Sequence, residues 1–352
     1  MKGTTALSIP ETMKALLLVG DGYSTERSDA RLESMDAYVH LGEIGVPRPG
    51  PSQVLVKVSL ASINPSDVMF VKGLYGQPRR KGQPAGFEGV GIVAAAGESP
   101  EAQRLVGQRV AFATGLSNWG SWAEYAISEA AACIPIMDGV KDADAAAMIV
   151  NPLTALAMFG IVKEEGEKAF VLTAGASQLC KLTMGVARDE GYRPIAIVRR
   201  DDQIEMLKQA GATHVLNETA PDFADRLQEV MRAEQPRIFL DAVTGPLGGQ
   251  IFNAMPKGAR WIVYGRLDTA ITPIPEPGQL IFMRKRIEGF WLTEWMRKSS
   301  METRIATIRE AQMRFADGRW ATDVNAIVPL EEAVAKVPAE HAKPNGKVFI
   351  RP

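Results

Sequence analysis

Two stretches of the chain carry residue types whose spacing suits a nucleotide. The first is Ala174-Gly175-Ala176-Ser177-Gln178-Leu179-Cys180, which follows the apolar run Phe170 to Thr173 and opens an amphipathic segment. A strand that runs into a glycine turn and then a helix aims backbone N–H groups at an anion, as a pyrophosphate requires. A strict fingerprint has three glycines. Here only Gly175 remains and Cys180 takes the packing position of the last, so the loop taken alone also reads as an ordinary strand-to-helix turn. The second stretch is Arg199-Arg200, at the end of the next apolar run, Pro194 to Val198. An acidic residue there would hold the ribose hydroxyls of NAD, whereas two guanidinium groups suit the 2′-phosphate of NADP. The alternative is a solvated pair beside Asp201 and Asp202. NADPH is therefore the expected cofactor, contacted by Gly175, Ala176, Ser177, Gln178, Leu179, Arg199 and Arg200. Lys181, early in the following helix, either reaches a phosphate or is solvated.

Elements that position these residues can be followed from about residue 145, where short strands alternate with amphipathic helices. Strands are expected at Lys168 to Thr173, Pro194 to Val198, His214 to Leu216, Arg237 to Asp241, Trp261 to Tyr264 and Arg286 to Phe290. Helices are expected at Gln178 to Glu190, through Ile204 and Leu207 to Gly211, and across Phe223 to Met231. Six strands make a Rossmann, doubly wound parallel sheet of the α/β class, and Tyr264 and Gly265 close one strand at the carboxyl end where cofactors lie. Earlier residues read as a sheet-rich lobe with strands at Lys14 to Val19, Val54 to Leu60 and Gly89 to Ala96. The end of the chain, Lys347 to Ile350, is strand-like and is assigned to that first lobe. The expected domains are 1–145 with 297–352, and 146–296; residues 1–12 form a polar extension.

Bulk properties exclude several classes. Of 352 residues 46% are apolar, enough for two cores, and 40 basic against 41 acidic residues give no block of charge that would call for nucleic acid or a charged membrane. No run approaches the ~20 apolar residues of a membrane span. Two cysteines, Cys133 and Cys180, stand in apolar stretches without pair spacing, which suits a reducing, cytoplasmic setting. His40, His214 and His341 lack ligand spacing and are expected to be surface or strand residues.

Segments Ala61-Ser62-Ile63-Asn64-Pro65-Ser66-Asp67, Gly73-Leu74-Tyr75, Gly86-Phe87-Glu88-Gly89-Val90-Gly91, Asn151-Pro152-Leu153-Thr154-Ala155 and Gly289-Phe290-Trp291-Leu292-Thr293-Glu294-Trp295 together resemble the zinc-free branches of the medium-chain dehydrogenase/reductases. The resemblance covers essentially the whole chain from Met13. It implies a GroES-like, β-rich catalytic domain beside the Rossmann domain, and a homodimer joined through Rossmann sheet edges. Alcohol dehydrogenases of this superfamily hold catalytic zinc with a cysteine where this chain has Asn64 and a histidine where it has Phe87. Neither replacement is a strong zinc ligand, and two cysteines cannot build a four-cysteine structural zinc lobe, so no zinc is expected.

Within those branches the chain is most similar to trans-2-enoyl thioester reductases, with NADPH:quinone oxidoreductases close behind. The resemblance implies that Tyr75 serves proton transfer and that the aromatic segment lies beside nicotinamide and substrate. It adds Thr154, Tyr264, Gly265, Phe290, Trp291, Leu292 and Lys347 as cofactor contacts, and Met69, Trp291 and Trp295 as substrate-pocket residues. Asn64 either orients a substrate carbonyl or cofactor amide, or serves the turn before Pro65. Trp291 and Trp295, four apart, share a face if that segment is helical. Two departures stand out: Gln178 replaces a usual glycine and either narrows the phosphate groove or adds a hydrogen bond, and Cys180 replaces glycine or alanine and is expected to push the helix off the sheet. Three readings follow: NADPH-dependent reduction of an activated C=C bond such as a 2-enoyl thioester, with Tyr75 as proton donor; NADPH:quinone reduction; or a non-catalytic NADPH-binding protein.

Overall fold

The computed structural model describes residues 8–115, 117, 119–273 and 276–352. Its strands are β1 (Thr12–Leu18), β2 (Val39–Gly45), β3 (Gln53–Ser62), β4 (Glu88–Ala96), β5 (Arg109–Ala113), β6 (Tyr125–Glu129), β7 (Cys133–Pro135), β8 (Ala169–Leu172), β9 (Arg193–Val198), β10 (His214–Asn217), β11 (Ile238–Asp241), β12 (Arg260–Val263), β13 (Arg286–Gly289), β14 (Val324–Pro329) and β15 (Lys347–Arg351). The chain divides into two compact units, one comprising residues up to Val150 together with Ile308–Pro352, the other Asn151–Thr307.

The first unit holds a two-stranded sheet, β1-β2, and a larger one in the order β14-β15-β3-β4-β5-β7, with β6 also on β3. Alternation along Val54 to Leu60 puts Val54, Val56 and Val58 into a core shared with Phe112 and Trp122. The end of the chain returns here: β15 pairs antiparallel with β3, Phe349 opposite Ser62 and Ile350 opposite Ala61. The short helix Pro65–Val71 leaves β3 directly, started by Pro65 at its first position and by Asn64 and Asp67 at its N-cap and third residue.

The second unit is a parallel sheet in the order β10-β9-β8-β11-β12-β13, the doubly wound dinucleotide order with its switch point between β8 and β11. β8 and β11 are buried at every residue, so they read as continuous apolar runs instead of alternating ones. The helix Gln178–Asp189 buries Leu179, Leu182 and Val186 on one side. The helix Ile204–Ala210 stops at Gly211, whose φ of +118° is open to glycine and strained for other residues.

One buried carboxylate ties three of these strands together. Asp241, at the end of β11, is fully buried and accepts from Thr173 Oγ1 at 2.5 Å, from the backbone N–H groups of Val243 and Thr244, and from Trp261 Nε1 at 2.8 Å. Replacement by alanine strands these donors away from water, and each stranded donor costs about 1–3 kcal/mol. We expect Asp241→Ala to lower unfolding free energy by at least about 3 kcal/mol, seen as a lower denaturant midpoint at unchanged slope; an unchanged midpoint would show that the strand ends are held by other contacts.

Candidate active site

In the unit Asn151–Thr307, the loop after β8 sits at the carboxyl end of the sheet beside the switch point. Gly175 is pressed against β9: its N–H donates to Ile197 O at 2.9 Å, and a Cβ there would lie 3.0 Å from Ala196 Cβ and 3.1 Å from Ile197 O. The one retained glycine is thus the one the packing demands. Ala174 precedes it with φ of +50°, a left-handed conformation unusual for alanine. Ser177 caps the helix, its Oγ accepting from Cys180 N at 3.3 Å. Gln178 and Leu179 are the first two residues of that helix, whose start carries the positive end of its dipole.

Cys180 does not push the helix off the sheet. Its thiol is buried, donates to Thr173 O at 3.3 Å and lies 3.6 Å from the Tyr264 hydroxyl. Burial raises both the thiol and, strongly, the Tyr264 phenol above their ordinary pKa, so both stay neutral. The Tyr264 hydroxyl is accordingly turned to Cys180 at the carboxyl end of β12. Gly265 approaches the backbone of Ala242, where a Cβ would meet the carbonyl oxygen at 3.0 Å.

Arg199 and Arg200 follow β9 and are exposed. The neighbouring acids divide: Asp202 Oδ1 lies 3.2 Å from Arg200 Nε, while Asp201 Oδ1 accepts from Asn217 Nδ2 at 2.9 Å. Lys181 stands in the first turn of the helix Gln178–Asp189. Thr154 is buried inside the helix Val150–Glu165. Phe290 leaves β13 with its N–H on Val263 O at 2.8 Å. Trp291 has extended backbone, φ −134° and ψ 122°, and is the N-cap of the helix Leu292–Lys298. Trp291 and Trp295 therefore do not share a helical face, because the helix starts one residue after Trp291.

In the other unit, Asn64, Met69, Tyr75 and Lys347 are brought together around the helix Pro65–Val71. Tyr75 follows a turn at Gly73, φ +76°, and its ring packs on Phe87 with centroids 5.1 Å apart; Phe87 in turn packs on Phe70. Met69 is half-buried, and its carbonyl accepts from Leu74 N at 2.8 Å.

Asn64 is 1% exposed and fully engaged as a donor: Nδ2 donates to Ser62 Oγ at 3.0 Å and to Glu88 Oε1 at 2.9 Å, and Oδ1 accepts from Lys347 Nζ at 2.5 Å. It has no hydrogen left for a substrate carbonyl. Lys347, expected beside the cofactor, is itself buried; burial lowers its pKa, while the Glu88 and Asp67 carboxylates hold it up. Both residues are members of a buried network. Its other members, Ser62, Asp67 and Glu88, lay inside recognised segments without an assigned role. Glu88 collects four donors: Ser62 Oγ at 2.8 Å, Asn64 Nδ2, and the N–H groups of Ile149 and Val150 at 3.0 and 2.9 Å. Asp67 accepts from Asn64 N and from Phe87 N, each at 2.8 Å. His341 ends the helix Ala333–His341, neither in a strand nor fully at the surface, and burial together with the charges of Lys347 and Lys72 lowers its pKa.

The sheet order and its phosphate turn, with a separate β-rich unit, define a two-domain dinucleotide-type oxidoreductase fold. The alcohol dehydrogenase GroES-like domain family matches residues 50–138 and the zinc-binding dehydrogenase family residues 179–309. A Mesorhizobium loti crystal structure assigned as an NADPH:quinone reductase is 70% identical, with a TM-score of 0.96 over 98% of this chain and 100% of that one. Mouse prostaglandin reductase-3 is 30% identical over 268 residues, 72% of this chain and 68% of its own. The mitochondrial enoyl-[acyl-carrier-protein] reductase of Xenopus tropicalis is 26% identical over 306 residues, 84% of this chain and 85% of its own. The chain belongs to the medium-chain dehydrogenase/reductase family and is an enzyme of oxidoreductase type.

A zinc ion, implied by one of the matching families, does not fit the donor set. Position 64 offers an amide nitrogen and oxygen already bonded, position 87 a phenyl ring, and the carboxylates of Asp67 and Glu88 are occupied by backbone and side-chain donors. Among the described residues no group of three or more His, Cys, Asp or Glu is arranged to hold a metal.

Burial, with the Glu88 charge adding to it, raises the Asp67 carboxyl from 3.8 to about 7 against the hydrogen bonds from Asn64 and the charge of Lys347. Between those values the folded state holds a proton that the unfolded state has released, so this contribution to stability is full below 3.8 and is lost as pH rises through about 7. Asp67→Asn cannot titrate. The melting temperature of the parent relative to Asp67→Asn should rise as pH is lowered from about 8 to about 5; a gap independent of pH would place the Asp67 proton elsewhere.

Proposed function

We propose that the chain reduces an activated C=C bond, of the kind found in 2-enoyl thioesters, using NADPH and without zinc. The unit Asn151–Thr307 is read as the NADPH-binding domain and the remainder as the catalytic domain. The observation that carries the cofactor choice is the pairing of a glycine-pinned phosphate turn at the switch point with Arg199 and Arg200 at the tip of the next strand. The turn from Gly175 to Leu179 would hold the pyrophosphate and the two guanidinium groups the 2′-phosphate. When bound, NADPH supplies a hydride to the β-carbon of the substrate. The Tyr75 hydroxyl then gives its proton to the α-carbon as the enolate collapses, and solvent restores the phenol. The substrate class is supported by the likeness to the enoyl-[acyl-carrier-protein] reductase.

Quinone reduction is the second reading, favoured by the 70% identity to the Mesorhizobium loti protein. It needs no dedicated acid, because water can protonate a reduced quinone. A non-catalytic role loses its motive, since Cys180 is accommodated by hydrogen bonds and the family is one of oxidoreductases. We further propose a homodimer joined at β13, which ends the parallel sheet and carries exposed Ile287, with exposed Ile281 and Phe282 just before it. A reducing, cytoplasmic setting suits the two unpaired cysteines. Among the described residues no helix is long and apolar enough to cross a membrane.

Fluorescence titration should give NADPH binding well ahead of NADH, and Arg199→Ala with Arg200→Ala should weaken NADPH by roughly 10–100-fold while sparing NADH; equal loss for both cofactors would remove the phosphate role. Tyr75→Phe should cut enoyl thioester turnover by about 100-fold or more with NADPH affinity intact and quinone turnover little changed. Turnover of enoyl thioester at parental rate in Tyr75→Phe would assign the proton to another donor. Light scattering at one monomer mass would remove the dimer.

A further inference from the structure

Tyr75 lies between Gly73 and Gly76, in a turn whose own backbone offers little rigidity. A proton donor misplaced by an ångström loses much of its effect, so the rigidity must come from outside the turn. Two cations bracket it. Lys72, immediately after the helix Pro65–Val71, is 8% exposed and directs all three ammonium hydrogens to one segment: Ser28 Oγ at 3.0 Å, Asp29 O at 2.9 Å and Arg31 O at 2.5 Å. Arg79, on the far side, donates to Gly22 O at 3.2 Å and Asp21 O at 3.4 Å, and back to Val71 O at 3.0 Å.

The guanidinium lies flat between two glycines. A Cβ on Gly73 would sit 2.5 Å from Arg79 Cζ, and one on Gly20 2.7 Å from the same atom. Backbone pairing adds Gly22 to Arg79 and Ser24 N to Gly73 O at 2.8 Å. The segment so gripped has little regular structure but is anchored by buried Ala30, Leu32 and Met35. The acceptors are backbone carbonyls and a hydroxyl, so this is not a pair of surface ion pairs that salt would screen away.

We infer that Lys72 and Arg79 are positioning residues that clamp the Tyr75 turn to the segment 21–31 and so hold the phenol against Phe87. The inference rests on the proton-donor reading of Tyr75 for its functional consequence, and on the hydrogen bonds alone for the clamp itself.

The test uses the full chain with Lys72→Met and Arg79→Gln, crotonyl-CoA and 1,4-benzoquinone as acceptors, and amide hydrogen exchange over residues 73–76. Crotonyl-CoA kcat should fall about tenfold or more, NADPH affinity and benzoquinone turnover should change less than about twofold, and exchange at 73–76 should speed up about tenfold. Arg79→Lys, which keeps a charge but lacks the fork, should fall between parent and Arg79→Gln. Unchanged exchange at 73–76, or equal loss of both activities, in a variant that keeps its fold overturns the clamp. Should either variant fail to fold, Ser28→Ala removes one acceptor of Lys72 and is judged by the same exchange. If Tyr75→Phe leaves crotonyl-CoA turnover intact, the proton-donor reading fails, and the clamp then stands or falls by exchange alone.

Discussion

A carboxylate taken out of water must find its hydrogen bonds within the protein, and in each unit the segments that carry candidate chemistry are gathered around one that does. Asp241 joins the ends of β8, β11 and β12 through Thr173, Trp261 and its own following backbone. Those strand ends carry the phosphate turn and Tyr264-Gly265, so the turn inherits its position from a bond in the sheet beneath it. Glu88 joins β3, the start of the helix Pro65–Val71 and residues Ile149 and Val150. An unsatisfied charge at either place would cost more than most single interactions supply, so the sites are as rigid as these networks are complete.

The phosphate turn shows how a sparse glycine pattern can persist. Of the three glycines in a strict fingerprint, one makes the tight turn, one admits the phosphate and one packs helix on strand. Gly175 is pressed on β9 in a place no side chain fits. At the helix-packing position Cys180 is tolerated because its thiol finds an acceptor in Thr173 O and a neighbour in Tyr264. The cost is that Tyr264 turns its hydroxyl inward. The contact joins residues 84 apart in the chain and spans from the end of β8 to the end of β12, two strands along the sheet.

What was legible in the sequence was local or periodic. Buried parallel strands announced themselves as apolar runs, and the six expected in the dinucleotide sheet occur within a residue or two of their expected bounds. The helix after Asn64 was not expected, where only a turn before Pro65 was read, although Pro65 at its first position and Asp67 three residues after the cap mark its start. Long-range partners carried no such mark. Lys347 meets Asn64 across 283 residues of chain, and nothing in either neighbourhood distinguishes that bond from the contact with a cofactor that resemblance implied. Trp291 and Trp295 had helical spacing, but spacing cannot say on which residue a helix begins, and here it begins after the first tryptophan.

The same network confines the carboxyl groups of the first unit to holding its backbone together. Asp67 and Glu88 are buried carboxylates, yet each oxygen already accepts a hydrogen bond, so neither presents a free acid to a substrate. The ammonium of Lys347 is committed to Asn64 and offsets the charge of the two carboxylates. Tyr75 is half-buried with its ring on Phe87, whose backbone N–H is held by Asp67 of this network.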